Sequence, residues 1–334
     1  MTHQKEPHFR EIGKGSCGTV WSPNSGADDP CFMKAFKRED GGEGRSLAKD
    51  FEMHGRVLDA REQFMTNTVC GSDIHIQVPY RYRFIRDCDE PTRWWEEKFP
   101  EGYSPCNVLV SERIPPVPED IRVMLIDKYC PERLVPEIKA DDANRDCLIR
   151  PYLGRRRVAS IPRPSMYRAF SLRNYPLHID QMEELGIGFS DQVTYSHIMA
   201  EALAMMHWYG EIAANDVEFV LAPPRNGQTA TISNNLGSHV MWLLDFDCCN
   251  KMQMDEEGIE QAVTAFLRNV PFYPRMTSSP ALWQEFRGKY LQTSTEIIQR
   301  RQMRSDLPGM FIEKVEMRQQ EAAHRINNLR RITH

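Results

Sequence analysis

The sequence predicts an α+β fold with two lobes, a small β-rich N-terminal lobe and a larger helical C-terminal lobe. Three observations support this: a length of 334 residues, a glycine-rich turn between apolar strands near the start, and mainly helical patterns in the second half. A chain of this length exceeds what one small core usually spans. The proline-rich connector at 114–118 separates the lobes, which we place at 1–118 and 119–334.

The N-terminal lobe is predicted from short apolar runs separated by turn-forming residues. Leu47, Phe51 and Leu58 recur at helical spacing and indicate one helix within this lobe. The predicted elements are strands over 9–12, 19–21, 31–36 and 108–110 and a helix over 47–63.

The C-terminal lobe is predicted from helical periodicity. Its clearest helix covers 195–209, where Ile198, Ala202 and Met205 belong to one apolar stripe. Strands are predicted over 217–221 and 240–246, helices dominate from 259 onward, and 311–332 forms a terminal amphipathic helix.

Composition and charge are those of an ordinary globular chain. Hydrophobic residues make up 41% and charged residues 27%, which argues against extensive disorder. The formal net charge of −5 gives no global attraction to nucleic acid, so any such attraction has to be local.

Neither a membrane span nor a secretion signal is visible in the sequence. No apolar run approaches the roughly 20 residues that a bilayer-spanning helix needs. The nine cysteines include no Cys-x-x-Cys pair, which argues against a structural zinc site and favours reduced thiols. We therefore expect a cytoplasmic protein without a membrane partner or a bound metal.

The glycine-rich turn fits a motif of protein kinases. It has the form Gly13-x-Gly15-x-x-Gly18-x-Val, followed by Lys34 on an apolar strand and Glu52 on the next helix. The kinase Lys–Glu pair has this order and a similar spacing, so the sequence predicts a protein-kinase-like fold with a cleft between the lobes. The alternatives are a plain hairpin turn for the glycines and, for the two charges, a tie between helix and sheet or two unrelated surface charges.

Two segments depart from the kinase pattern. A kinase carries a His-Arg-Asp catalytic loop and an Asp-Phe-Gly metal site. Here Asn-Asp216-Val-Glu218 stands near the expected loop, Asp245-Phe-Asp247 replaces Asp-Phe-Gly, and His207 is predicted to be a packing residue.

The two acid-x-acid pairs, Asp216/Glu218 and Asp245/Asp247, lie at strand edges. Residues two apart on a strand point to the same side, so up to four carboxylates are expected in one pocket. They suit Mg²⁺ binding, recognition of a guanidinium or amine, or general-base catalysis. The alternative is that some are solvated turn residues.

An arginine tract covers 147–179 without any Asp, Glu or Lys. Arginines neutralise phosphates and interleaved aromatic residues stack on unpaired bases, so the tract is a candidate tRNA surface. The alternatives are a solvated basic loop and a phosphate-binding patch of another kind. The residues predicted to contact tRNA are Arg155, Arg156, Arg157, Arg163 and Arg168.

Four segments together resemble a family of fungal proteins. They are Gly-Lys-Gly-Ser-Cys-Gly-Thr-Val-Trp at 13–21, Asn-Asp-Val-Glu-Phe-Val-Leu at 215–221, Trp-Leu-Leu-Asp-Phe-Asp-Cys at 242–248 and Asn-Val-Pro-Phe-Tyr-Pro-Arg at 269–275. The family includes arginine-containing cyclodipeptide synthases, and other members are labelled hypothetical or "zinc finger protein". The resemblance covers nearly the whole chain.

This resemblance implies an enzyme of secondary metabolism that takes aminoacyl groups from arginyl-tRNA and a second aminoacyl-tRNA. It would join them and release a cyclo-Arg-Xaa diketopiperazine, with no cofactor. The ester is already activated, so the site has to orient two acyl groups, exclude water and move protons.

For such a reaction we assign Asp216 and Glu218 to the arginyl amine or guanidinium, one of them acting as the base. Asp245 and Asp247 would complete the acidic wall, and the turn amides would stabilise an oxyanion or the ribose-phosphate end. The remaining pocket residues would be Lys34, Glu52, Gly13, Gly15, Ser16 and Gly18, with Ser16 and Cys17 as candidate nucleophiles.

Two other functions stay open from the sequence. A divergent kinase or phosphotransferase would use the same cleft for ATP and Mg²⁺ and would bind both. A catalytically dead kinase-like binding protein would not gather Asp216 and Glu218 in a pocket.

Overall fold

The chain is mixed α+β, with a β-sheet N-terminal region and a helical C-terminal region. The computed structural model describes residues 9–24, 33–42, 44–67, 76–157 and 170–332, with side chains described to residue 325. The predicted class of secondary structure is therefore confirmed for both regions.

The N-terminal region is a five-stranded antiparallel sheet with the order β1-β2-β3-β6-β5. Aromatic residues fill one side, where Phe9 packs on Phe36 and Trp21 meets Phe99 edge-on. These rings bury a large apolar area and fix the hairpin that carries the glycine turn. The elements are β1 (Phe9–Lys14), β2 (Thr19–Pro23), β3 (Lys34–Arg38), α1 (Leu47–Asn67), β5 (Arg81–Ile85), α2 (Thr92–Lys98) and β6 (Val108–Glu112).

A second sheet lies against the helices and has the order β10-β11-β9-β7-β8. One more strand, β4 (Ile76–Gln77), comes from the N-terminal part of the chain and pairs in parallel with β11, Ile76 opposite Met241. The other strands are β7 (Ile149–Tyr152), β8 (Tyr175–His178), β9 (Glu218–Ala222), β10 (Ile232–Asn234) and β11 (Gly237–Leu244).

Helix α6 (Phe189–Trp208) is the centre of the C-terminal core and packs along α8 (Pro280–Arg301). Its second half is buried on all sides, which matches its apolar sequence. The Trp208 indole donates to the Ser294 hydroxyl at 2.7 Å, and His207 contacts the Tyr290 hydroxyl at 2.9 Å. Burial lowers the pKa of His207 to about 3, so His207 is a neutral packing residue, as predicted.

The remaining helices surround this core. They are α3 (Glu119–Tyr129), α4 (Val135–Ala140), α5 (Ile179–Glu184), α7 (Glu256–Arg268), α8 (Pro280–Arg301) and α9 (Leu307–Ile332), with short 3₁₀ turns at Glu132–Leu134 and Asp142–Asn144. In the described part of the chain, no helix combines the length and apolar composition needed to cross a membrane.

Candidate functional site

A cleft opens between the glycine turn and the ends of β9 and β11. Its walls come from β1 to β3, from α1, from the 112–116 connector and from β7. The cavity measures about 190 Å³, more than ten times the volume that one water needs in the same measure. A cleft of this kind is ligand-sized, and charged residues such as Lys37, Glu218 and Asp146 line it.

The glycine turn closes on itself. The Gly15 amide donates to the Gly18 carbonyl at 2.8 Å and the Gly18 amide donates back at 3.3 Å. Gly18 has φ +145°, and a Cβ there would stand 2.3 Å from the Arg38 carbonyl oxygen, so only glycine fits.

The turn therefore lines the cleft, but the amides of Gly15 and Gly18 are already used in hydrogen bonds within the turn. Gly13, Gly15, Ser16 and Gly18 all lie on the wall, as expected. The prediction that the turn amides contact a ligand is wrong for Gly15 and Gly18, because both bond within the turn.

The two candidate nucleophiles on the turn differ in environment. The Cys17 side chain is buried, and this burial raises the pKa of its thiol to about 12. A thiol with such a pKa is almost wholly protonated near neutrality, which argues against Cys17 as a nucleophile. Ser16 is exposed at the tip of the turn.

Lys37 stands at the centre of the cleft. Its ammonium lies 2.7 Å from an Asp50 carboxylate oxygen on α1 and 2.7 Å from an Asp245 oxygen after β11. Burial alone would lower the pKa of Lys37, but the two carboxylates outweigh it and raise that pKa well above its usual range. Burial also raises the pKa of Asp50. Lys37 thus ties the first sheet, α1 and the end of β11 together.

The predicted Lys34–Glu52 pair is wrong. Successive residues of a strand face opposite sides, and Ala35 and Lys37 face the cleft, so Lys34 points away from it. Glu52 lies on the exposed side of α1 and pairs with Lys251 at 2.8 Å. Neither residue lines the cavity.

Glu218 begins β9 and lines the cleft beside the Lys37 cluster. Its side chain is 19% exposed and accepts a hydrogen bond from the Arg150 guanidinium on β7. Burial, reinforced by the neighbouring Asp245 and Asp216, outweighs Arg150 and raises the pKa of Glu218 to about 7. A carboxyl with this pKa can both hold and release a proton near neutral pH.

The other two predicted acids surround a different cation. Arg45, just before α1, donates to Asp247 at 2.8 Å and to Asp216 at 3.2 Å. Asp247 is buried, whereas the Asp216 side chain is 55% exposed at the rim. Neither residue lines the cavity.

The expectation that all four acids share one wall is therefore wrong for Asp216 and Asp247. The i, i+2 rule holds only inside a strand, but β9 starts at Glu218 and β11 ends at Leu244. Asp216 (φ 60°) and Asp245 (φ 67°) adopt left-handed backbone conformations, which turn the chain between the members of each pair.

Charge around Lys37 is unbalanced in the described part of the chain. There, Asp50, Asp245 and Glu218 form ion pairs with two cations, Lys37 and Arg150. With Glu218 ionised, this group carries one excess negative charge in a partly desolvated site. Such a site favours one additional cationic group.

A second charged group at the cleft is richer in arginine. Asp146 accepts hydrogen bonds from both Arg10 and Arg113, and Arg173 pairs with Glu11 at 2.8 Å. The cleft therefore has an acidic group around Lys37 and an arginine-rich group around Asp146.

The arginine tract does not form one surface. Arg150 forms an ion pair with Glu218, and Arg173 forms one with Glu11, both at the cleft. Arg156 binds Glu183 through two hydrogen bonds, and Arg157 binds Asp180 and Glu184. The acidic α5 thus neutralises two of the arginines predicted to contact tRNA.

Arg155 differs from its two neighbours. It is exposed and, among the described residues, forms no ion pair. Arg163 and Arg168 lie outside the described residues. Of the predicted tRNA contacts, Arg155 alone combines exposure with an uncompensated charge in the described chain.

Sequence reasoning missed Lys37, Asp50 and Arg45. Strand alternation could have found Lys37, because Ala35 and Lys37 share the face that the buried strand turns to the cleft. Helical spacing could have found Asp50, four residues before the apolar-face His54. No sequence signal marks Arg45, since a loop sets its reach to Asp247.

Comparison with known proteins gives one partial match. A family model, DUF3669, with the description "Zinc finger protein" matches residues 241–302, less than a fifth of the chain. No curated protein matches the chain. The matched segment contains Asp245 and Asp247 from the site described above.

The zinc-finger description finds no metal ligands to support it. Residues 241–302 contain two adjacent cysteines and no histidine, whereas a zinc finger needs four Cys or His ligands. Within the described ranges, no group of three or more His, Cys, Asp or Glu side chains is arranged to hold a metal ion.

Proposed function

We propose that the chain is a bilobal protein of protein-kinase-like fold that acts as an aminoacyl-tRNA-dependent cyclodipeptide synthase. It would join arginine to a second amino acid and release cyclo-Arg-Xaa. The fold is supported by the glycine turn, by Ala35-Phe36-Lys37, which matches the Ala-x-Lys of the kinase strand, and by the Lys37 contacts to α1 and Asp245.

One observation carries the functional proposal. Glu218 lines the cleft with a pKa raised to about 7, in an acidic cluster that has one excess negative charge. An attacking amine needs a base near neutral pH, and an arginyl substrate brings the cation that the cluster lacks. Both requirements meet at the same carboxyl group.

The reaction would proceed as acyl transfer. The α-amine of one aminoacyl ester attacks the ester carbonyl of the other, a C–N bond forms and the C–O bond to the tRNA ribose breaks. Glu218 accepts the amine proton, and the departing ribose oxygen takes up a proton. The second amine then attacks the remaining ester, closes the six-membered ring and releases the second tRNA.

Residues around Glu218 would orient the substrates. Arg150 holds the Glu218 carboxyl in place, and Asp245 is fixed by Lys37. The arginine-rich group around Asp146, with Arg10 and Arg113, suits the phosphate of the tRNA acceptor end. Asp216, exposed and bound to Arg45, is a less suitable base than Glu218.

The test is product formation by the full chain in a host that makes no such compound. Extracts analysed by mass spectrometry should contain a cyclo-Arg-Xaa mass with the wild type. The matched control is Glu218→Gln, which keeps shape and the hydrogen bond from Arg150 but removes the base. Soluble wild-type protein without any such mass would refute the proposal.

A phosphotransferase is the second candidate, favoured by the Lys37 contacts to Asp50 and Asp245. In a kinase the corresponding lysine binds nucleotide phosphates and the aspartate binds Mg²⁺. Calorimetric titration with Mg·ATP separates the two functions. Saturable binding that Lys37→Met abolishes would favour the phosphotransferase over the synthase.

A further inference from the structure

Two neighbouring tyrosines lie exposed at the edge of the first sheet. Tyr80 and Tyr82 have 46% and 48% of their surface exposed, and few large hydrophobic side chains of the described chain are so open. Tyr82 belongs to β5, the outermost strand of that sheet, and Tyr80 directly precedes it. Exposed aromatic rings are usual where a partner packs on them.

Each ring already carries a cation. The Lys34 ammonium lies 5.5 Å from the centroid of the Tyr82 ring, and the Arg225 guanidinium lies 3.9 Å from that of Tyr80. Both distances are within the range of cation–π attraction. We call Tyr80, Tyr82, Lys34, Arg225 and the nearby Arg61 the tyrosine face.

Hydrogen bonds to Glu112 fix the positions of Arg225 and Tyr80 in the tyrosine face. Arg225 binds both carboxylate oxygens of Glu112 at 2.6 Å, and Glu112 in turn accepts from the Tyr80 amide at 3.0 Å. A bidentate pair of this kind fixes the guanidinium plane under the ring. The platform therefore needs little ordering when a ligand stacks on it.

The tyrosine face is locally positive, whereas the chain as a whole has a net negative charge. Lys34, Arg61 and Arg225 oppose one carboxylate, Glu112, and among the described residues Lys34 forms no ion pair. Burial and the adjacent Arg225 guanidinium lower the pKa of Arg61, which places these two cations close together. A local excess of positive charge in a chain of net charge −5 indicates an anionic partner.

We propose that the tyrosine face binds unpaired nucleotides of an RNA, with bases stacked on Tyr80 and Tyr82 and phosphates near Lys34 and Arg61. Rings with adjacent cations are the usual platform for single-stranded nucleic acid. Only the choice of tRNA as the natural RNA rests on the function proposed above. An acidic peptide would use the cations but gain little from two open rings.

The position of the face suits an RNA that enters the cleft. Glu112, which supports Arg225, also lines the cavity, and so does Pro79, next to Tyr80. A strand stacked on the tyrosine face would therefore lie beside the cleft wall. This places the unpaired end of an acceptor stem close to Glu218's cavity.

The experiment measures binding of a short fluorescein-labelled oligouridine to the full-length chain by fluorescence anisotropy. Tyr80→Ala and Tyr82→Ala should each weaken binding about 5-fold to 100-fold, the range for loss of one base-stacking ring. Tyr80→Phe and Tyr82→Phe keep the rings and should bind nearly as the wild type does. Lys34→Gln should reduce the slope of log affinity against log salt by about 1.

The matched control is Phe189→Ala, which removes an exposed ring, 52% open, from α6 and should leave affinity unchanged. The inference is overturned if wild-type protein does not bind oligouridine, or if the alanine variants bind it equally well. Equal competition by duplex RNA would also overturn it. Displacement by polyglutamate as effective as by unlabelled RNA would assign the face to an acidic protein instead.

These outcomes are separate from those of the synthase test. A chain that forms no diketopiperazine but binds oligouridine through the tyrosines refutes the proposed function alone. A chain that forms the product but binds oligouridine without the tyrosines refutes this inference alone.

Discussion

Replacing Glu218 by glutamine should change how stability depends on pH. In the folded chain burial raises the pKa of Glu218 from the usual 4.5 to about 7, so the folded state holds this proton more tightly than the unfolded state. The contribution to stability is complete below pH 4.5 and is lost as pH rises through about 7. Glutamine cannot ionise, so the variant lacks this loss.

The size of the effect follows from the shift. A rise from 4.5 to about 7 corresponds to a penalty on the order of 3 kcal/mol on folding with ionised Glu218. Screening by solvent lowers this free-energy penalty only slightly, because the Glu218 side chain is only 19% exposed. The glutamine variant should gain that much relative to the wild type between about pH 5 and about pH 8.

The assay is urea unfolding across this pH range, with free energies extrapolated for both proteins. A suitable control is Glu52→Gln, because the ion pair with Lys251 lowers the pKa of exposed Glu52 and moves its titration below the window. Parallel wild-type and Glu218→Gln curves would refute the raised pKa and with it the choice of base.

The same titration should appear in the activity. If Glu218 is the base, product formation should rise with pH through about 7 and fall about tenfold for each unit below it. Glu218→Gln should lower the rate about 10² to 10⁴-fold at all pH values. A wild-type profile that is flat between about pH 5 and about pH 8 would assign the proton transfer to another group.

Three further predictions concern other parts of the site. Lys37→Met should destabilise the chain by about 3–5 kcal/mol in urea unfolding, because the carboxylates of Asp50 and Asp245 lose their cation. Lys34→Met should destabilise it much less, and equal losses of stability would contradict the position of Lys37 between the two carboxylates. Gly18→Ala should cost about 2 kcal/mol or more, while Gly15→Ala, with open space at its Cβ, should be nearly neutral in the same measurement. Arg155→Gln should weaken tRNA binding and flatten its salt dependence more than neutralising Arg156 and Arg157, which are already paired with α5. A larger effect from Arg156 and Arg157 would assign tRNA binding to those two residues.

The mixed α+β class and the longest helices were predictable because their periodic patterns are strong. The helix predicted over 47–63 is observed as Leu47–Asn67, and that over 195–209 as part of Phe189–Trp208. The strand predicted over 240–246 ends two residues early, at Leu244. Asp245 therefore lies outside the strand, as Asp247 does, and the reasoning that placed both on one side fails.

The site was predictable in its location and less so in its pairing. Glu218, Asp245 and the glycine turn all line the cleft, because each follows or precedes a buried strand. Which cation meets which acid depends on contacts between distant segments, such as Arg45 with Asp247, 202 residues apart. Spacing along a sequence carries no information on such pairs.

The place of β4 has a practical consequence for anyone who divides this chain. Residues Ile76 and Gln77 complete a sheet whose other members all come after residue 148. A fragment that starts at 119 would expose backbone donors and acceptors of β11 along Met241 and Trp242, and a bare strand border invites self-association. Expression of the second half alone is therefore expected to give aggregates, unless a peptide spanning 76–77 is supplied in trans.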